Sequence, residues 1–396
     1  MTAIALKRPL PSRWLAFGGI AVAILALWLA LPPWNVRTAI PSVVLCLIAA
    51  SAGVVAVRDG LVTQGWWAIT AAGLCLVLAY QATTANVDTL EGVVNAGLFA
   101  AMLRWATPLT LAALGGMFSE RSGVVNIGLE GSMLTGAFFG VWAADKGGSW
   151  IVGLLAAIVF GALVGLIHAF FCVHLQADQI VVGTAINILA LGLTAYLFRA
   201  IYGFSGSPPN ISRVPEVSIP GVRSIPFVGD VIGTLNLMIW IAIAFVILAW
   251  LVLWRTPLGL RIRAVGEHPR AAETVGIDVY KIRYLSVMLS GVLAALGGAY
   301  LSIGFVGSFS ENMTAGQGFI ALAVMILGKW RPFPIFASAL LFGLASALAD
   351  RLGGVGISPD LLKGLPYAVT LVALVGFIGR ATPPAADGRP YARGGH

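Results

Sequence analysis

Along this chain, apolar residues recur in runs as long as a helix needs to cross a lipid bilayer. About 20 helical residues traverse the hydrocarbon core, and a stretch of roughly 18 or more with few charges reads as a span. Twelve segments qualify as candidates: 14–31, 39–57, 65–84, 92–118, 124–143, 149–173, 180–202, 232–253, 284–305, 314–328, 333–350 and 362–379. Two are irregular. The fourth carries Arg104 and Pro108, so its first half is expected to lie along the interface. The tenth is too short to cross straight. The expectation is an all-α, polytopic transmembrane helical bundle of about 10–12 spans with possible broken helices. Composition agrees: 59% of residues are hydrophobic and 10% charged, against about 25% charged in soluble domains.

The formal net charge of +8 is a topology signal rather than a nucleic-acid footprint, which would cluster on one folded face. Cytoplasmic loops carry the excess of Lys and Arg. With the N-terminus inside, that side receives Lys7, Arg8 and Arg13, the loop 254–283 with six Lys/Arg against three acids, Lys329 and Arg331, and a C-terminal tail with Arg380, Arg389 and Arg393. The other side receives mostly acids, among them Asp88, Glu91, Asp145, Glu216, Asp230, Glu311 and Asp360. Both termini are therefore expected on the cytoplasmic side. The first span follows basic residues as a signal peptide does, but it is long for one and no A-x-A site follows. The proline- and glycine-rich loop 203–231 is a connector, with room for an external partner to dock.

Several chemistries are absent from the sequence. Cys46, Cys75 and Cys172 stand singly in apolar segments, with no C-x-x-C or Cys/His spacing for a metal or disulfide framework. No G-x-x-x-x-G-K-[ST] occurs, so the chain has no phosphate-cradling loop with which to hydrolyse ATP. The "GQGFIA" at Gly316 follows no strand and is no dinucleotide site. No catalytic residues, cofactor or metal are expected.

Two stretches carry polarity out of keeping with the rest. The first is "SERSGVVNIGLEGSML", Ser119–Leu134. Ionisable residues at membrane depth are costly and tend to face a cavity or partner. Glu130 falls about ten residues beyond Arg121, near mid-depth, and Asn126 is expected one turn before it on the same helical face. Gly123, Gly128 and Gly131 permit a broken helix, the form in which transporters often build midplane sites. Asn126 and Glu130 either face a substrate path or hydrogen-bond to neighbouring helices. Asn187 and Gln317 are further polar residues in apolar runs. Glu120 and Arg121 are expected to pair at the boundary. Gly136-x-x-x-Gly140 and Gly161-x-x-x-Gly165 allow close helix approach.

The second stretch is the loop "WRTPLGLRIRAVGEHPRAAETVGIDVYKIR", residues 254–283. Pro269 suits a first helical turn and Gly276 a C-cap. A helix of about seven residues is expected from Pro269 to Val275, with a small face of Ala271, Ala272 and Gly276. It is either an ordinary basic loop or a docking helix for a cytoplasmic motor.

These residues together resemble a family. "ATPLTLAALGGMFSERSGVVNIGLEGSMLTGAFFG", "TPLGLRIRAVGEHPRAAETVGI" and "GGAYLSIGFVGSFSENMTAGQGFIALAVMILGKWRP" are similar to ABC-importer permeases of the branched-chain amino acid and simple sugar family, and "ERSGVVNIGLEG" most resembles its nucleoside-type branch. The resemblance covers residues 90–379; residues 1–89 form a three-span extension and 380–396 a cytoplasmic tail. It implies import by alternating access, with ATP hydrolysed on a cytoplasmic ABC ATPase rather than on this chain. It further implies a second permease subunit, an extracytoplasmic binding protein, a small-molecule substrate and a lipid surround. The expected cargo is a nucleoside or purine, with a simple sugar as the alternative; an ion-coupled secondary transporter is a rival from another class. The substrate path would take Asn126, Glu130, Asn187 and Gln317. The ATPase coupling loop would take Gly266, Glu267, Pro269, Ala271, Ala272 and Gly276.

Overall fold

The computed structural model describes residues 18–23, 25–26, 39–61, 65–66, 68–73, 75–76, 95–203, 211–223, 225, 227–353, 364 and 382–392. The candidate span 362–379 lies almost wholly outside them, and 14–31 and 65–84 lie about half outside. Seven helices among the described residues are long and apolar enough to cross a membrane. The chain divides into two compact units, residues 1–98 with 345–379, and residues 99–344 with 380–396.

In the first unit, α1 (Ala39–Arg58) approaches the helical residues near 65–69 closely. Its Ser42 hydroxyl donates to the Ala26 carbonyl at 3.1 Å. Cys46 and Cys75 are buried and unpaired.

The second unit opens with α2 (Ala96–Arg121), one continuous helix of 26 residues with Pro108 inside it. At about 1.5 Å per residue it is long enough to cross a bilayer core, and no break separates its first half from its second. Proline removes one backbone donor from the helix ladder. Flanking it, Thr107 and Thr110 donate their hydroxyls to the Leu103 and Ala106 carbonyls, both at 2.8 Å, which satisfies these groups without water. After Arg121 the chain leaves helical geometry for seven residues, and α3 (Leu129–Gly147) begins only at Leu129.

α3 is buried along most of its length and is the centre of the unit. It packs against α4 (Trp150–Ala169, prolonged by a π-type turn, Phe170–His174). Later in the chain, α10 (Val279–Ala299, prolonged by a π-type turn to Val306) packs against both. Small residues make this three-helix contact. A Cβ at Gly136 would overlap the Ala295 carbonyl, and one at Gly161 would strike Gly291 and the Ala295 methyl. Both G-x-x-x-G patterns thus face α10, where van der Waals packing rather than hydrophobicity holds helices together in lipid.

Three of the remaining helices begin at polar caps, Asp178, Asn236 and Thr256, that answer otherwise free N–H groups. α5 (Gln179–Tyr202) starts at Asp178, which accepts from the Ile180 and Val181 N–H groups. A short α6 (Val228–Ile232) lies between β1 (Glu216–Ser218) and β2 (Thr234–Asn236), which pair antiparallel with Val217 opposite Leu235. α7 (Leu237–Arg255) starts at Asn236. α8 (Pro257–Glu267) and α9 (Pro269–Thr274) follow, each with proline in its first turn. α11 (Gln317–Leu327) has 11 residues, about half the length of a span, and α12 (Pro332–Gly353) comes last. The sequence-based expectation of an all-α membrane bundle with broken helices therefore holds.

Candidate functional site

The two interruptions meet. The first is the irregular segment 122–128 ahead of α3; the second is 307–316 ahead of α11. Gly123 turns the first at φ +87, a left-handed geometry that L side chains resist. Asn126 then folds its side chain back, accepting from the Gly128 N–H at 3.0 Å while donating to Ser290 of α10 at 2.9 Å. Asn126 thus lies outside the helix that carries Glu130, and the expected shared helical face does not form. The turn chemistry of glycine and asparagine outcompetes helix propagation there.

Glu130, in the first turn of α3, caps α11. Its Oε1 accepts from the Thr314 hydroxyl at 2.6 Å and the Gly316 N–H at 2.8 Å; its Oε2 accepts from the Gly318 N–H at 2.6 Å. A helix that begins inside the bundle exposes unsatisfied donors and a partial positive charge. A buried carboxylate answers both at once. A Cβ at Gly318 would overlap the Glu130 backbone, so the contact demands glycine.

Asn187 of α5 secures the other side of the break. Its Oδ1 accepts from the Gly131 N–H at 2.8 Å and its Nδ2 donates to the Ile127 carbonyl at 3.0 Å. Three of the four expected path residues therefore hold the two breaks in place. Gln317 differs: its Oε1 is buried with no hydrogen-bond partner among the described residues. Ser290, Thr314 and Gly318 belong to the same arrangement. Single polar or glycine positions in apolar runs carry no sequence signal strong enough to have shown them.

At one end of this unit, Arg121 donates from Nε and Nη2 to the Trp330 carbonyl, at 3.1 and 3.0 Å, and the Trp330 indole donates to Glu120 at 2.6 Å. The expected Glu120–Arg121 ion pair is replaced by this joint grip on Trp330. The Trp330 carbonyl accepts from Arg121 and its indole N–H donates to the Glu120 carboxyl, so the two side chains bond to one residue rather than to each other.

The same end carries the residues expected for a coupling loop. α9 spans six residues and closes on Gly276 at φ +84, as the proline and glycine predicted. Its small face does not all point outward. Ala272 is 3% exposed, whereas Ala271 and Gly276 are exposed and Val275 is 74% exposed. Ala272 is packed against the chain's own core because the helix is too short to stand off from it. Gly266 is buried, where a Cβ would overlap the Arg121 carbonyl; Glu267 is exposed and Pro269 half-buried.

At the opposite end, Arg199 of α5 pairs with Glu311 through two bonds of 2.5 and 2.6 Å, and Asn236 donates to the Val214 and Gly304 carbonyls. Trp150 N–H meets Ser212 at 3.1 Å. Among the described residues no cluster of His, Cys, Asp or Glu is arranged to hold a metal.

Residues 98–374 match the family described as the permease component of branched-chain amino acid transport systems. The chain is 44% identical over 314 residues to a guanosine ABC transporter permease protein of Bacillus subtilis, covering 74% of this chain and 96% of that one. It is 42% identical over 317 residues to a nucleoside ABC transporter permease protein of Lactococcus lactis, covering 77% and 98%. It is 36% identical over 284 residues to a putative glucose ABC transporter permease protein of Haloferax volcanii, covering 71% and 84%.

Proposed function

Because this chain belongs to the family of permease components of branched-chain amino acid transport systems, we propose that it is the membrane channel of an ABC importer for nucleosides. The observation that carries the substrate class is the identity of 44% and 42% to guanosine and nucleoside permeases over nearly their whole lengths, against 36% to a putative glucose permease. The chain is a multi-pass membrane protein, and we place it in the bacterial inner membrane with both termini in the cytoplasm. ATP is hydrolysed on a partner ATPase; a second permease subunit and an extracytoplasmic binding protein complete the assembly. Residues 1–89 are read as an extension ahead of the transport core.

In this reading the binding protein delivers substrate at the end bearing Arg199, Glu311 and loop 203–236. The substrate passes the junction of the two interruptions. Asn126, Glu130 and Asn187 hold that junction open as a scaffold, and Gln317 offers its free acceptor to a base N–H or ribose hydroxyl. The ATPase seats on the opposite end against the exposed face of α8 and α9, where Arg261, Arg270, Ala271 and Val275 face outward. Alternating access follows if ATP-driven movement of α9 changes how α3 and α11 meet.

The test is uptake of radiolabelled guanosine and of glucose in cells with and without this chain, with its partner ATPase present. Guanosine uptake is expected to depend on the chain and to be competed by other nucleosides. Glucose uptake in its place would assign the sugar reading; uptake that follows an ion gradient and survives ATP depletion would remove the ABC reading.

A further inference from the structure

The C-terminal segment 382–392 lies folded across the coupling loop. Its Ala386 N–H donates to the Gly266 carbonyl at 2.9 Å, and its Ala385 N–H donates to the Glu267 carboxylate at 3.2 Å. The Tyr391 hydroxyl donates to the Glu273 carboxylate of α9. The segment thus touches the coupling loop just before α9 and within it. A helix of six residues is far below the length at which helices hold themselves together in water, so its position depends on such contacts.

The same segment is anchored to the transmembrane helices. Arg283 of α10, 1% exposed, donates to the Arg389 carbonyl at 3.1 Å. The Tyr391 carbonyl accepts from Tyr280 of α10 and from Gln176 beside the α4–α5 junction, both at 3.3 Å. Ala386 is packed against Gly123, where a Cβ would come within 3.1 Å of the Ala386 carbonyl oxygen. Tyr391 itself is 5% exposed, and its ring lies against Tyr280, with centroids 5.8 Å apart. One eleven-residue segment therefore bridges the coupling loop, the end of α10 and the interrupted segment 122–128.

We propose that segment 382–392 is a clamp that sets the position of α9, that Tyr391 is a positioning residue through which α9 is tied to α10, and that Ala386 carries the tie on to the interruption at Gly123. Loss of the phenol hydroxyl frees α9 to move without carrying the transmembrane helices along. Only the coupling consequence rests on the reading of α9 as the ATPase contact; the mechanical claim stands on the chain alone.

Two measurements test it. The first uses the permease in inside-out vesicles, with Ala272→Cys as a buried reporter and Val275→Cys as an exposed control, in a chain whose Cys46, Cys75 and Cys172 are serine. Ala272→Cys is expected to resist thiol labelling, and adding Tyr391→Phe should speed it about tenfold, the opening that follows loss of one hydrogen bond to a carboxylate. Val275→Cys should label alike in both. A chain truncated after residue 381 should label at least as fast as Tyr391→Phe; unchanged protection of Ala272→Cys in both backgrounds overturns the clamp.

The second measures guanosine uptake per ATP hydrolysed in the assembled transporter. Tyr391→Phe should lower the ratio while the ATPase still copurifies, and Glu273→Gln, which keeps an acceptor, should retain it. A wild-type ratio in Tyr391→Phe, with α9 loosened, overturns the positioning role. Absence of guanosine uptake or of a copurifying ATPase in the wild type counts against the proposed function, and the labelling result still decides the clamp.

Discussion

Glu130 illustrates how one buried acidic side chain is made tolerable. The cost of a charge in the bundle is offset by three donors that a broken helix must satisfy anyway. Charge-assisted hydrogen bonds of this kind contribute about 1.5–3 kcal/mol each. Glu130→Gln keeps one acceptor oxygen but turns an NH2 toward a neighbouring donor. It is therefore expected to lower the stability of the detergent-purified protein by about 1–3 kcal/mol, read as a drop in thermal midpoint, with uptake reduced in proportion to folded protein. Gln317→Leu should behave oppositely: the thermal midpoint is kept, because Oε1 has no partner to lose, and guanosine uptake falls by about tenfold or more through a raised KM. Equal thermal midpoints for Glu130→Gln and wild type would remove the capping account. The sequence showed Glu130 and Asn126 as out-of-place polar residues. That Glu130 answers residues 184, 186 and 188 positions away is visible only once the chain is folded.

Among elements, α9 was legible because proline and glycine bound a helix by local chemistry. Which of its faces turned inward was not, since six residues show too little periodicity to reveal one. The burial of Ala272 follows from packing against the core, so a bulky charge at Ala272 strikes this chain before any partner. The clamp over α9 contains its own titratable group. Burial pushes the Asp387 carboxyl up to about 7, against the opposing effects of the Gly388 N–H and the Arg283 guanidinium, with the Glu120 carboxyl beside it. An acid whose docked-state pKa is raised favours docking when protonated. The contribution is full below its ordinary 3.8 and is lost as pH rises toward about 7. Labelling of the Ala272→Cys reporter is therefore expected to speed up across that window in the wild-type tail and to depend less on pH in Asp387→Asn, which leaves the buried Glu120 carboxyl in place. A flat wild-type profile would show that Asp387 does not govern docking.

For the whole molecule, residues that the Lys/Arg distribution assigns to opposite sides lie at opposite ends of the second unit. Arg121, Trp330, α9 and segment 382–392 gather at one end, and Asp145, Ser212, Arg213 and Glu311 lie at or near the helix ends opposite. Single cysteines at Glu216 and Val275, in a chain without native cysteines, should report opposite sides. An impermeant thiol reagent added to whole cells is expected to label Glu216→Cys and spare Val275→Cys; the reverse pattern inverts the orientation. What the amino-acid sequence alone determined was the membrane, the helical class, the family and the places where helices would break. Those follow from span-length apolar runs, from the requirement that backbone groups in lipid be satisfied within the segment, and from local turn residues. What only the tertiary structure decided was the use of each break. The carboxylate at 130 capping α11, the joint grip of Glu120 and Arg121 on Trp330, and the seat of Tyr391 on Glu273 each join residues more than a hundred positions apart. Such pairings depend on which donors each fold leaves unsatisfied, and no local pattern in the chain encodes that.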